Sequence, residues 1–333
     1  MKTFAELLWQ EINRENMIGK DLQTARQFLD QGDLVAIPTE TVYGLAGNAL
    51  DPKAVSEIFR VKNRPSFDPL IVHTSQLSRI SDLVLEIPAQ AELLANHFMP
   101  GPLTLLLPKH PRLPDIVTAG SDRVAIRIPK HPLTMELLDL LDFPLAAPSA
   151  NPFGYISPTS AQHVADQLGE RISYILDGGD CQVGIESTII GFESGSPVVY
   201  RKGGLSIEDI EQVIGSVRMQ PHSTSNPAAP GMLKSHYAPR VPLLLGNLPD
   251  LLRQYPNKRV GLISFQEAYP AIPKGQQVVL SPSGDLAEAA RALFAGMRRL
   301  DQLELDLILA ELLPESGLGR AINDRLKRAA ATD

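Results

Sequence analysis

Residues 34–45 read Leu34-Val35-Ala36-Ile37-Pro38-Thr39-Glu40-Thr41-Val42-Tyr43-Gly44-Leu45. The apolar run 34–37 predicts a short buried strand. Pro38 ends it, because proline has no N–H to give to a sheet ladder. Thr39, Glu40 and Thr41 then set polar groups at the tip. On an extended backbone Thr39 and Thr41 face one way and Glu40 the other. Gly44 and Gly47 predict a sharp turn or a close passage to a ligand. Ligands of α/β sheets sit just beyond the carboxyl ends of strands, so the functional site is expected here. The plainer alternative is a strand followed by a polar turn.

The same pattern recurs outward from this stretch. Leu70–His73 is an apolar run ending in a histidine, and Leu145-Ala146-Ala147 leads into Pro148-Ser149-Ala150-Asn151-Pro152. Val124–Pro129 carries Arg127 among Val, Ala and Ile, where an arginine either snorkels out or meets an anion. Lys62 and Arg64, two apart beside Pro65, are expected to project from an extended segment. Ser157-Pro158-Thr159 is expected to cap a helix reaching Leu168. Glu186 and Ser187 precede another apolar run, and Arg201-Lys202-Gly203-Gly204 closes a further one. Helices are expected between these runs, and residues 1–18 read as an extra amphipathic helix.

Residues 216–240 change character. Prolines, serines and threonines mark a linker, and its end holds His236-Tyr237, which suggests that it docks on something. From Val241 strands (243–245, 260–265, 277–280, 305–310) alternate with helices (248–255, 286–300, 319–330). That order predicts a mostly parallel sheet covered by helices. The expected division is 1–215 as the catalytic domain, 216–240 as a linker and candidate lid, and 241–333 as a smaller C-terminal Rossmann-like domain.

A chain of 333 residues accommodates two such domains. Its net charge of −7 argues against a surface that binds nucleic acid by bulk electrostatics, although a local basic cleft stays open. A single cysteine, Cys181, leaves no disulfide framework within the chain and no cysteine-based zinc site, which fits a cytoplasmic location. No apolar run reaches the ~20 residues of a membrane span. GxxxxGK[ST], HExxH and GxSxG are absent, as is a cysteine–histidine pair suited to nucleophilic catalysis. Thr39, Thr41, Lys62, Arg64, His73, Arg127, Ser149, Asn151, Ser187, Arg201 and Lys202 instead gather at strand ends. Cations, hydroxyls and amides in that mixture suit a polyanion such as a nucleoside triphosphate. The chemistry expected is transfer by positioning and charge neutralisation, without a covalent enzyme intermediate.

PTETVYGL, the Lys62-x-Arg64 and Ser149-x-Asn151 pairs, LAAPSANPFGYISPTSAQHV, DGGDCQVGIESTII and VYRKGG resemble the YrdC family. PGMLKSHYAP and GLGRAINDRLKRAA resemble its longer, two-domain form, so the likeness runs from about Asp21 to Ala330. The resemblance implies an α/β fold: a twisted mixed sheet with helices and a central cleft, followed by the parallel C-terminal domain. It implies a nucleotidyltransferase in which L-threonine and bicarbonate give a carbamate. The carbamate attacks the α-phosphorus of ATP to form threonylcarbamoyl-AMP and pyrophosphate. The product serves a threonylcarbamoyl transferase machinery that modifies tRNA beside the anticodon.

By the same likeness Thr39, His73, Arg127, Ala147 and Ser187 would hold threonine, with Arg127 on its carboxylate. Lys62, Ser66, Arg123, Ser149, Ser157, Arg201 and His236 would border ATP. Lys62, Arg64, Ser149 and Asn151 would carry the catalysis. Magnesium would arrive with ATP rather than in a protein cage. Asp68 departs from the family, which usually has asparagine there. It either faces away from the phosphates or helps to hold magnesium. The second class of function considered is a module binding tRNA or double-stranded RNA weakly, which the charge and the 5% aromatic content disfavour.

Overall fold

The computed structural model describes residues 17–220, 229–230, 232 and 236–331. The expected N-terminal helix lies, up to residue 16, outside the described residues. Ile18 and Gly19 are strand, not helix.

In chain order the first domain runs β1 (Ile18–Gly19), α1 (Leu22–Asp30), β2 (Val35–Ile37), β3 (Gly44–Asn48), α2 (Pro52–Lys62) and β4 (Ile71–His73). There follow α3 (Leu77–Ile80), α4 (Ala89–Phe98), β5 (Leu103–Pro108), β6 (Arg123–Arg127), α5 (Pro132–Leu140) and β7 (Leu145–Ala146). It closes with α6 (Ala161–Leu168), β8 (Tyr174–Leu176), β9 (Thr188–Glu193), β10 (Ser196–Arg201), α7 (Ile207–Ile214) and β11 (Arg218–Met219). These strands make one mixed sheet in the order β1-β8-β2-β3-β7-β4-β6-β5-β9-β10-β11. The second domain holds β12 (Leu243–Leu245), α8 (Leu248–Gln254), β13 (Val260–Ser264), β14 (Gln277–Val279), α9 (Leu286–Asp301), β15 (Leu307–Ala310) and α10 (Gly319–Ala329). Its sheet, β12-β15-β13-β14, is parallel throughout.

Local chemistry explains the boundaries. Asp21 caps α1, accepting from the N–H groups of Gln23 and Thr24. Asp51 caps α2 with Pro52 in its first turn, and Asn63 ends it in the left-handed conformation.

Four expectations change. Gly44 and Gly47 lie in β3, antiparallel to β2, rather than in a turn. A side chain on Gly47 would come within 2.9 Å of Leu34, so the glycine serves close packing of chain on chain. Lys62 is the last residue of a helix, not part of an extended segment. The helix ending at Leu168 is capped by Ser160, not by the 157–159 segment. The linker's first residues continue the sheet, with β11 pairing parallel to β10.

Two large cores result. One fills the mixed sheet. The other belongs to the second domain, yet it includes Val42, Ile156, Ile185 and Tyr237. The second domain is thus seated against the loops at the strand ends of the first.

Candidate active site

β4 and β6 are parallel and in register His73↔Arg127, so both side chains arrive at the same sheet end. The 39–42 turn meets them there. The Thr39 hydroxyl accepts from the N–H of Thr41 and Val42 and donates to the Val42 carbonyl at 2.6 Å, which holds the turn closed. Thr41 Oγ1 accepts from Arg127 Nη1 at 2.8 Å. Glu40 meets the same guanidinium: its Oε2 stands 2.7 Å from Arg127 Nη2 and accepts from the Lys130 N–H. Arg127 Nε donates to the Gly101 carbonyl. The anion that Arg127 meets inside the protein is therefore Glu40, and its fork is engaged on three sides.

His73 is buried, and its Nδ1 has no hydrogen-bond partner among the described residues. Burial, helped by Arg127, pushes its pKa down to about 3, so the ring is neutral at neutral pH. Ser187 shares a hydrogen bond with Thr104 and accepts from Arg201 Nη2 at 3.1 Å. Arg201 also holds the Ser187 carbonyl and the Pro230 carbonyl of the linker. His236 packs edge-on to Phe153 and Tyr237 and is kept neutral by burial and the cations Arg328, Arg64 and Lys62.

These groups enclose one cavity. Thr39, His73, Arg127, Ala147 and Ser187 line one part of it, and Arg64, Ser149, Arg201 and His236 line the rest. Its free volume of about 50 Å³ is room for a few water molecules. Linker residues Pro230, His236 and Tyr237 close it.

Other candidates lie elsewhere. Lys62 ends beneath the cavity, donating to the main-chain carbonyls of Ser149 and Asn151. Asn151 braces the same loop, donating to the carbonyls of Pro152 and Tyr155. Ser66 is exposed. Arg123 sits at the opposite end of β6 from Arg127, donating to the Tyr200 hydroxyl at 2.7 Å. Ser157 donates to Glu186. Asp68 is fully buried and pairs with Arg64 at 2.9 Å, and it is not among the residues that line the cavity. Burial pushes its carboxyl up against the pull of Arg64 and Lys62.

The residue reading missed Glu40, Glu186 and Tyr237 as parts of the site, although each lies inside a motif that it singled out. It also missed Arg325, which lies in the singled-out GLGRAINDRLKRAA stretch but reaches the cavity only through a contact 139 residues away. Among the described residues no three His, Cys, Asp or Glu side chains cluster as a metal site. No described helix is long and apolar enough to cross a membrane.

Strand-end hydroxyls and buried cations line a cavity bordered by the linker to a second α/β unit, which defines a two-domain α/β protein with its cavity at the strand ends of the first sheet. The family described as Telomere recombination (Sua5/YciO/YrdC) matches residues 27–203, and the threonylcarbamoyl-AMP synthase C-terminal domain matches 205–331. The chain is 42% identical to the threonylcarbamoyl-AMP synthase of Pyrococcus abyssi, over 95% of this chain and 96% of that one. It is 40% identical to that of Bacillus subtilis, over 92% of each. The crystal structure of P. abyssi Sua5 complexed with L-threonine superposes with a TM-score of 0.89 at 40% identity, covering 94% of this chain and 97% of the other. The chain belongs to the Sua5/YciO/YrdC family, in its two-domain form.

Proposed function

We infer that this protein is an enzyme that makes threonylcarbamoyl-AMP. The observation that carries the reading is one cavity in which the hydroxyls of Thr39, Thr41 and Ser187 surround Arg127 and His73, and the cations Arg64 and Arg201 stand beside them with His236. The finer reaction class is nucleotidyl transfer, with ATP and bicarbonate as the other substrates.

The threonine amine attacks the bicarbonate carbon, water leaves, and a carbamate results. A carbamate oxygen attacks the α-phosphorus of ATP, the bond to the bridging oxygen breaks, and pyrophosphate departs. Neutral His73 accepts through Nδ1 from an N–H or O–H of threonine. The remaining N–H groups of Arg127 meet the carboxylate, with Glu40 behind the guanidinium holding its orientation. Arg201 and Arg64 offset the phosphate charge. Lys62 acts by holding the Ser149–Asn151 loop. The donor set does not make a protein-held magnesium site, and magnesium would reach the cavity on the triphosphate.

ATP cannot share a space of a few waters with the linker residues that now close it. Pro230, His236 and Tyr237 must lift to admit ATP, and their return as a lid shields a product anhydride prone to hydrolysis. The product would pass in the cytoplasm to a transferase acting on tRNA. Release of pyrophosphate that requires ATP, threonine and bicarbonate together, with the product seen by mass spectrometry, tests the reading. Release without threonine would overturn it. Limited proteolysis of the linker tests the lid: protection by ATP plus threonine is expected, and equal cleavage with and without them refutes it.

A further inference from the structure

Glu186 lines the cavity next to Ser187 and Arg201. Under the ATP-dependent reading above, a bare carboxylate there would repel a triphosphate. Arg201 directs its nitrogens to Ser187 and to the Pro230 carbonyl, not to this carboxylate. Two other donors meet it. Ser157 Oγ donates to Oε1 at 2.5 Å, and Arg325 Nε donates to Oε2 at 2.8 Å.

Arg325 comes from α10 of the second domain, 139 residues further along the chain, and it is wholly buried. Its other nitrogens donate to Asp324 Oδ2 at 2.8 Å and to the Lys202 carbonyl at 2.9 Å. Its guanidinium carbon stands 5.0 Å from the centroid of the Tyr237 ring, with that of Arg328 4.7 Å from the same ring. Tyr237 itself is buried against Phe294 of the second domain and borders the cavity. One side chain of the C-terminal domain thus touches the cavity carboxylate, the 202 loop and the linker aromatic.

We propose that Arg325 is a positioning residue for ATP binding. It neutralises Glu186 and holds it with Ser157, so that the nucleotide part of the cavity accepts a polyanion only while the C-terminal helix is docked. The proposal rests on the ATP-dependent reading above. It assigns the second domain a part in the site that a mere anchor for the linker would not have. Thr39 and Arg127 make their hydrogen bonds to Val42, Thr41 and Gly101 of the first domain, so threonine binding is expected to be indifferent to Arg325.

Steady-state kinetics on the full chain, varying ATP and threonine separately, decide it. Arg325→Met leaves Glu186 charged and without its cation. It should raise the KM for ATP by about 30-fold or more, the lower end of what an unpaired buried charge costs, with the threonine KM unchanged. Glu186→Gln combined with Arg325→Met removes the stranded charge and should recover most of that loss. A purely structural role predicts additive damage instead. Unchanged ATP KM in Arg325→Met, equal rises in both KM values, or a double variant no better than the single one overturns the proposal. Should Arg325→Met fail to fold, Arg325→Lys carries the test: it keeps a cation beside Glu186 but loses the planar fork, so the ATP KM should rise while the threonine KM stays unchanged, and an unchanged ATP KM or equal rises in both overturn the proposal. A wild-type chain that releases no pyrophosphate overturns the ATP-dependent reading and this proposal together. An active wild type with an unaffected Arg325→Met overturns the proposal alone.

Discussion

The two sheets of this protein end their strands in similar ways and put those ends to different use. In the first domain the strand ends present His73 and Arg127 to a cavity, with the Asn151 loop beside them, and the buried atoms His73 Nδ1 and Asn151 Oδ1 have no hydrogen-bond partner among the described residues. In the second domain the corresponding polar groups satisfy one another. Ser264 donates to the Glu267 carbonyl at 2.6 Å, Glu311 accepts from the Phe265 N–H at 2.7 Å, and Ser283 donates to Glu288 at 2.9 Å. A polar strand end becomes a site where bonding capacity is left over toward a cavity, and a closed turn where it is not. The second domain reaches the loops of the first with helix arginines instead, Arg298 on α9 and Arg325 on α10.

The sharpest way to break this contrast is at Arg127. Arg127→Ala removes the guanidinium and strands Glu40, which is itself buried. A loss of about 2–5 kcal/mol is expected, read as a steep rise in the threonine requirement. Calorimetric titration with threonine checks it, and unchanged affinity would remove Arg127 from the site.

Arg298 comes next. It donates to the carbonyls of Ile156, Ser157 and His163 and to Gln167, crossing from α9 to α6 and the loop before it. Arg298→Met should cost about 1.5–3 kcal/mol, the range for hydrogen bonds to a charged group. Hydrogen exchange should quicken in 155–167 while β4 and β6 stay protected. Uniform quickening would mean that the junction is not a separate contact.

Acid should separate the domains further. Burial, with Arg127 nearby, pushes His73 down to about 3, and burial with Arg298 nearby takes His163 to about 4. The unfolded chain takes up these protons near 6.5, so the unfolded state binds more protons through this window. The stability contributed is complete above about pH 6.5 and is lost as pH falls from there toward 4. Residues 241–333 contain no histidine. Exchange measured at pH 7 and pH 5 should show β4, β6 and α6 losing protection before β13 and α9. Equal losses would refute the assignment.

The smallest effect is expected in the satisfied sheet. Ser264→Ala should cost about 0.5–1.5 kcal/mol of stability, the net worth of one neutral hydrogen bond, and leave turnover intact. A fall in activity with the fold preserved would show that this strand end also serves the site.

Much of the fold is legible in local pattern. The apolar runs at 34–37, 70–73 and 124–128 became strands, and the alternation after Val241 became a parallel sheet, because periodicity and proline act within a few residues. β3 escaped that reading because its glycines resemble turn signals. They are strand residues pressed against Leu34 and Ala147, and no local pattern announces such contacts.

The sequence by itself determined which chemistry could gather here: hydroxyls, amides and cations at strand tips, with no residue set for covalent catalysis. Only the tertiary structure decided the partners. Lys62 turns to the carbonyls of Ser149 and Asn151, 87 and 89 residues away, Arg127 meets Glu40, Arg64 takes Asp68, and Glu186 waits on a cation 139 residues away. Local pattern says which residues share a strand or a helix face. The partner of a buried charge depends on which distant segments packing brings within about 3 Å, and on the cost of leaving that charge alone.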